Sequence, residues 1–596
     1  MLNLSRFKSI WSDNVETHAE RTEEPSEARF RAWALALLIL VGPAFLFFLY
    51  YKLRFFGLAN SDALDFAQIG RNLANGKGFV TSVIRPLAIT GPVTGNVQET
   101  IHGPVYPILL ALAFNLRGAS DYTAAQVSGL LYILTVPMVY VLGSRIFNRK
   151  VGLLAAGAFA VNAMMLEYAI SGMHITLCVF LATWMLIVLH SLLVKGDATG
   201  DGSAAPMPRG RLIQLGILAS LLYLTEPVFV WLVPVIVASV VFYGGQYRWK
   251  NMLWALIPVL VLVVPWMVRN TIIAQDPVYG LRGNEFWMHT PGFYTKDAGY
   301  RLDPSEVAGS APLLKAIVRK FFVGMGKIVQ TVPQFSGSWL LAFFLPALFV
   351  NFQAQSSNHV RKTVLWCAGF LTLGMVLLGA ESLMPLYLIL VPAILTYSLC
   401  YAAHLLQQAN PERVVRQSAA MIMLAIVCYP LLVNLISEQD NPRPLGYRVA
   451  TILAKSTGQN DACLTDQPCT VAWYGNLRAV WLPGTINTTK KVREQVAGLR
   501  WLILTANTRG YSQDWRKVYQ GMYYWSVQAM NAKRANPGQT VQPLPLKVDK
   551  AGAEKYPLVP VLDGFVAEPP LDEKEPSTVV ARVSSNSQKV GMSPAG

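Results

Sequence analysis

The stretch "SDALDFAQIGRNLANGKGF" (Ser61–Phe79) sets two carboxylates, Asp62 and Asp65, just beyond the first long apolar segment of the chain, Trp33–Tyr51. Its apolar spacing is helical. On a helical wheel Asp62, Asp65, Phe66, Ile69 and Leu73 share one broad face, so the two acids head an apolar stripe. Two readings stand side by side. Carboxylates in a helix's first turn are stabilised by the dipole, with Asn60 or Ser61 as the cap; at a membrane edge the same carboxylates are suited to accept a proton from a substrate.

The surrounding composition decides the fold class. The chain has 596 residues, 53% of them hydrophobic and 14% charged, and apolar runs recur from Trp33 to Ile436 with brief polar breaks. That pattern describes a mainly α, polytopic membrane protein. A polar lead-in, Met1–Arg31, precedes the first run, which is read as a retained anchor instead of a cleaved signal peptide. In a soluble protein the net charge of +16 would suggest nucleic acid. Here Lys and Arg cluster in short loops: "RIFNRK" (Arg145–Lys150), Lys195 with Arg209 and Arg211, "YRWK" (Tyr247–Lys250), Arg361 with Lys362, and Arg413 with Arg416. Such loops are expected on the cytoplasmic side, with membrane lipids and no nucleic acid as partners.

Eleven spans are expected, near 33–51, 123–144, 151–168, 172–193, 212–226, 227–245, 251–268, 338–352, 363–380, 384–406 and 418–436. With a cytoplasmic N-terminus, all five basic clusters then fall inside. "YPILLALAFNL" (Tyr106–Leu116) is too short to cross a core of about 30 Å. It is read as re-entrant or interfacial, as is Leu313–Val332; counting both gives thirteen.

The domain plan is a cytoplasmic segment 1–30, a membrane domain 31–436 with outward loops 52–103 and 270–315, a small extracytoplasmic α/β domain 437–568, and a disordered tail 569–596. Within the α/β domain, Gly446–Lys455 and Lys490–Leu499 look helical, while "TVAWYG" (Thr470–Gly475) and "RWLILT" (Arg500–Thr505) look like strands. Cys463 and Cys469, in "CLTDQPC", are read either as a disulfide or as two thiols; the other four of the six cysteines lie in apolar runs.

The order of motifs resembles the GT-C superfamily of membrane glycosyltransferases, particularly the protein mannosyltransferase and aminoarabinose transferase branch. The matching pieces are Asp62 with Asp65 after the first span, Gly76–Phe79 as the Gly-x-Gly-Phe stretch, and "HGPVYP" (His102–Pro107) opening the next helix. Further matches are Gly118–Ala156, "VPWMVRN" (Val264–Asn270) and "VAWYGNLRAVWLP" (Val471–Pro483), so the likeness covers most of residues 30–510. Three positions depart from that pattern: Gly103-Pro104 replaces Pro-Pro, Glu226 stands where relatives often carry Arg, and "AESLMPLYLILVP" (Ala380–Pro392) lacks an Arg-Tyr pair.

The resemblance implies an inverting glycosyltransferase of the plasma (inner) membrane that takes a sugar from a polyprenyl-phosphate donor to a lipid, glycan or protein acceptor on the extracytoplasmic face. The alternative is a non-catalytic GT-C-like scaffold subunit of an envelope glycan or pilus assembly complex. Sugar transfer needs a base for the acceptor and a cation for the departing phosphate. The expected catalytic residues are Asp62 as base, with Asp65 or Glu99 orienting it. Expected substrate contacts are Arg269 for the lipid phosphate, His102, His174 and Trp287. His174, in "SGMHIT", is read equally as a hydrogen-bonding group at a helix end. The aromatic residues of 270–315, among them Tyr279, Phe286, Trp287 and Tyr300, suit stacking on a sugar or an aromatic membrane belt. A divalent metal is a possible cofactor, with Glu99, His102 and His289 as candidate ligands.

Overall fold

The computed structural model describes residues 25–197, 207–286, 300–302, 314–335, 339–379, 383–409 and 412–437, much of 444–516, and strands at 564–567 and 579–582. Helix α1 (Pro25–Arg54) carries the first apolar segment and α2 (Ser61–Ala74) follows it. Three two-residue strands come next: β1 (Val80–Thr81), β2 (Val83–Ile84) and β3 (Val97–Gln98). The helical body continues with α3 (Val105–Arg117), α4 (Asp121–Ile146), α5 (Arg149–Ala160), α6 (Ala163–Ile170), α7 (Ile175–Asp197), α8 (Arg209–Thr225), α9 (Leu232–Tyr243) and α10 (Arg248–Ala274). It ends with α11 (Leu314–Phe335), α12 (Trp339–Ala347), α13 (Gln355–Leu378), α14 (Val391–Gln408) and α15 (Arg413–Ile436).

Among the described residues, seven helical segments are long and apolar enough to cross a membrane: Leu37–Arg54, Asp121–Ile146, Ile175–Val194, Gly245–Ala274, Gln355–Leu378, Met384–Gln408 and Val414–Ile436. The pair α5 and α6, bent by 57°, makes an eighth if it is one span. The other expected spans are shorter helices: α8 has 17 residues, α9 has 12 and α12 has 9. Proline explains the break between α8 and α9. Pro227 has no N–H to continue the ladder and turns the chain into a single 3-10 stretch, Pro227–Trp231. Helix α3, with 13 residues, reaches only about 20 Å and is too short to cross, as expected. Helix α11 stands apart from the spans because it carries Lys315, Arg319, Lys320 and Lys327.

Small residues let the helices approach where apolar burial alone gives no preference for protein over lipid. A Cβ on Gly143 of α4 would lie 2.8 Å from the Gly152 Cα of α5, so this crossing admits no side chain on either glycine face. Charge orders the two ends of the bundle. Arg145 ends α4, Arg149 and Lys150 start α5, Arg209 and Arg211 start α8, and Arg248 and Lys250 start α10. At the opposite ends of these helices stand Asp121, Glu226 and Asn270, beside the polar residues described below.

Beyond α15 lie β4 (Ala462–Thr465), α16 (Pro468–Tyr474), β5 (Arg478–Trp481), α17 (Ile486–Gln495), β6 (Leu499–Leu504), β7 (Gly564–Ala567) and β8 (Val579–Arg582). The sheet order is β2-β5-β4-β6-β7-β8, parallel except for the antiparallel β7–β8 pair. Two expectations are corrected here. "TVAWYG" is helical: Pro468 pre-forms the first turn of α16, and Val471 and Ala472 are buried against the sheet. Val579–Arg582, within the stretch expected to be disordered, is a strand that pairs antiparallel with β7. No disulfide joins Cys463, buried in β4, to Cys469 in α16.

The edge strand β2 belongs to the first loop, so that loop and the C-terminal domain share one sheet: Val83 pairs with Ala479 and Ile84 with Val480. A second junction lies at α16. Asp121 accepts hydrogen bonds from Trp473 Nε1 (2.6 Å) and the Tyr474 hydroxyl (2.7 Å). Arg71 of α2 donates to the carbonyls of Ala472 (2.6 Å) and Trp473 (2.8 Å), with its guanidinium 4.7 Å from the Trp473 ring. A cation at a helix C-terminus satisfies carbonyls that have no intrahelical partner. Asp121→Ala is expected to cost about 1–3 kcal/mol and to make the chain between the two domains cleavable in limited proteolysis, with Asp121→Asn retaining most of the resistance.

Candidate functional site

Asn60 caps α2, its side-chain oxygen accepting from the Asp62 amide at 2.8 Å. The helix then packs between α3 on one side and α16 with the short strands on the other, and it is buried from Ala63 to Gly70 without interruption. The one-faced stripe expected from the wheel is therefore replaced by burial all round. Asp62, half-buried, and Asp65, buried, consequently meet different surroundings.

Asp65 is the centre of a polar network. Its Oδ2 pairs with the Arg85 guanidinium and lies 3.0 Å from His102 Nε2, while its Oδ1 accepts from Gln68 Nε2 at 2.8 Å. Gln68 also donates to Thr81 Oγ1 (2.7 Å) and accepts from the Ser82 amide (2.9 Å), which ties the helix to β1 and β2. Glu99 is fully buried. Its Oε1 accepts from the amides of Ile101 (2.6 Å) and His102 (2.9 Å), and its Oε2 faces Arg85 at 4.0 Å. Burial alone would raise the Asp65 pKa, but the Arg85 charge and the His102 hydrogen bond hold it well below the usual carboxylate range. Burial likewise opposes charge on His102, yet its hydrogen bond to Asp65 and the nearby carboxylates raise its pKa.

A second network meets the first across Phe66, whose ring centroid lies 4.3 Å from that of His102 and 4.8 Å from that of His174. Glu226, which ends α8, pairs with Arg282; Arg282 Nε lies 3.2 Å from Glu285 Oε1, which accepts from the Tyr300 hydroxyl at 2.8 Å. His174 Nε2 is 3.4 Å from Glu226 Oε2. Gly103 makes this junction possible. A Cβ there would fall 2.0 Å from the Leu224 carbonyl oxygen, so His102 and Glu226 become neighbours only through a residue without a side chain. The departure from Pro-Pro thus has a steric reason.

Between the networks opens a cleft lined by Asp62, His102, His174, Glu226, Arg282 and Leu383 among others. Of the residues expected from the sequence, Asp62, His102 and His174 meet there. Asp65 and Glu99 lie behind it. Arg269 stands elsewhere, at the end of α10 over the Trp266 ring (4.6 Å), donating to the Glu99 carbonyl (2.8 Å). Trp287, His289 and Glu381 lie outside the described residues. Tyr279 and Tyr300, expected either to stack on a sugar or to join an aromatic membrane belt, are buried: Tyr279 packs edge-on against Phe286 and Tyr300 bonds Glu285. Sequence reasoning missed Arg85, Gln68, Arg282 and Glu285. The Arg282–Glu285 spacing of three was the one available signal.

Of the expected metal ligands, Glu99 and His102 alone do not make a site for an ion, and His289 lies outside the described residues. No group of three or more His, Cys, Asp and Glu among the described residues could hold an ion, and the space between Asp65 and Glu99 is taken by Arg85.

Two outcomes follow from this geometry. Because the folded pKa of His102 is raised, the stability it adds is fully present below its unfolded value, about 6.5, and is lost as the pH rises through the folded value. The melting-temperature gap between wild type and His102→Gln should therefore be widest near pH 6 and close on the alkaline side; a gap that widens with pH would refute the charged pair. Gly103→Ala should destabilise the chain by about 1–3 kcal/mol in thermal unfolding, because the Leu224 carbonyl is backbone and cannot swing aside.

No family model matches the sequence, and no curated protein does. Among solved structures, the oligosaccharyltransferase of Archaeoglobus fulgidus, in complex with Zn and sulfate, is similar over 79% of this chain and 68% of that one, with 13% identity and a TM-score of 0.52. ArnT from Cupriavidus metallidurans aligns in its apo state over 79% of this chain and 90% of that one, with 16% identity and a TM-score of 0.42. Its form bound to undecaprenyl phosphate gives 78%, 89%, 16% and 0.41. At 13% identity the likeness is one of fold, and it rests on the first of these structures. The chain therefore shares a fold with that structure, and itself folds as a mainly α, polytopic membrane domain joined to a small α/β domain.

Proposed function

We propose that the chain is an inverting glycosyltransferase of the plasma (inner) membrane. It moves a sugar from a polyprenyl-phosphate donor to an acceptor hydroxyl on the extracytoplasmic face. One observation carries this reading: the half-buried Asp62 lines a small cleft with His102, His174 and Arg282. That cleft lies at the helix ends opposite the basic ones, and basic ends mark the cytoplasmic side.

In the proposed step the acceptor oxygen attacks the anomeric carbon from the face opposite the phosphate. The hydroxyl proton passes to the Asp62 carboxylate, the bond from the anomeric carbon to the phosphate oxygen breaks, and the polyprenyl phosphate leaves with that electron pair. Asp65 does not compete for the proton, because Arg85 and His102 keep it ionised and engaged. Arg269, half-buried at the end of a span, is the candidate for the lipid phosphate before or after transfer.

A second reading, the non-catalytic scaffold, draws on Glu226. A cation does stand where relatives often carry Arg, since Arg282 arrives there from another loop, but Glu226 and Glu285 neutralise it. The two readings separate in one assay: transfer of radiolabelled sugar from a panel of polyprenyl-phosphate sugars in membranes holding wild type or folded, equally abundant Asp62→Asn. Loss of activity by about 10²-fold or more in the variant is expected for a general base. Equal activity would move the base elsewhere, and no transfer from any donor by intact wild type would favour the scaffold.

A further inference from the structure

Between Asp65 and Glu99, one of the expected metal ligands, the structure holds an arginine. Arg85 follows strand β2 directly, and β2 is the edge of the C-terminal sheet, so the guanidinium is delivered to the membrane domain by the register Val83–Ala479 and Ile84–Val480. There it is almost fully buried, paired with Asp65 Oδ2 and 4.0 Å from Glu99 Oε2. Glu99 Oε2 is itself buried and has no hydrogen-bond partner; its one charged neighbour among the ion pairs of the described residues is Arg85. His102 Nε2 completes the ring 3.0 Å from Asp65 Oδ2. The guanidinium thus stands between two buried carboxylates, Nη2 toward Asp65 and Nη1 toward Glu99, where their charge calls for a cation.

We propose that Arg85 is a built-in cation that takes the place of a divalent ion between Asp65 and Glu99, and that the C-terminal sheet is what positions it. A guanidinium suits this role: it cannot lose its proton in a protein, it is weakly hydrated and so tolerates burial, and its planar fork reaches two carboxylates at once. A divalent ion in the same space would be repelled by that fixed charge. The arrangement also makes the site independent of the ambient metal supply. Arg85 is a positioning residue, because it acts through Asp65 and Glu99 and lines no part of the cleft among the lining residues described. The inference concerns the same site as the proposed sugar transfer, but its test needs no donor or acceptor.

Mn²⁺ binding to the purified full-length protein in detergent, read from the loss of the free-ion electron paramagnetic resonance signal, is the test. Wild type should show no site that Asp65→Asn or Glu99→Gln abolishes. Arg85→Ala should gain one Mn²⁺ site, bound at least about tenfold more tightly than any in wild type, and Arg85→Ala combined with Glu99→Gln should lose it. Arg85→Lys, which keeps a charge in the space, should gain none. An Asp65-dependent Mn²⁺ site in wild type would overturn the proposal, as would a folded Arg85→Ala that gains none. If Arg85→Ala fails to fold, wild type and Arg85→Lys still decide it, since Mn²⁺ binding to either at Asp65 is incompatible with a resident cation. A chain that shows the expected Mn²⁺ pattern but transfers no sugar would sink the proposed function and leave this inference standing.

Discussion

The buried ion pair between Asp65 and Arg85 is the constraint around which the rest of the site is arranged. Neither charge can remain in the interior alone: an unpaired buried charge costs several kcal/mol, and breaking such a pair typically costs about 3–5 kcal/mol. The two partners come from different elements, a helix packed on the membrane domain and the end of a strand in the C-terminal sheet. Satisfying one charge therefore brings two domains into register. Gln68 and Asn72 extend the same seam, bonding Thr81, Ser82 and the Val80 carbonyl from consecutive turns of α2.

A second seam runs parallel to the first and uses the same logic with other residues. Glu226 interrupts two apolar helices, where an isolated carboxylate would be costly, and Arg282 answers it from a loop 56 positions further along the chain. Arg282 in turn meets Glu285, and Tyr300 bonds Glu285 while stacking at 6.4 Å against Trp481 of β5. Arg301 continues outward to the Leu482 and Pro483 carbonyls. Both loops thus end on the C-terminal domain, which makes that domain part of the site's framework. Positioning by rigid elements is what proton transfer at a defined atom requires.

Much of the membrane domain was legible in sequence because hydropathy integrates over twenty residues and one Pro or Glu hardly changes the sum. That same averaging hid how short the pieces are. Glu226-Pro227, the expected boundary between two spans, separates helices of only 17 and 12 residues, and the shortfall from eleven expected spans to seven long ones arises at such points. Arg361 shows a related limit: counted as a loop charge, it is buried and donates to the Ala347 carbonyl at 2.8 Å. A local pattern reports that a residue is charged, and it cannot report which carbonyl lies within reach.

For the site, the sequence by itself determined the residue types and their order: carboxylates after the first span, a His at the head of α3, and an α/β domain after the last span. These follow from short-range rules of capping, period and polarity, which operate within a few residues. The tertiary structure decided which carboxylate is buried and which faces the cleft, that Arg85 pairs with Asp65 and Arg282 with Glu226, and that Gly103 must lack a side chain. The partners are 20 and 56 residues away in the chain, and the Leu224 carbonyl that excludes a Cβ belongs to a distant helix. Contacts of that range depend on how helices and strands stack in three dimensions, and no periodicity along the chain encodes them.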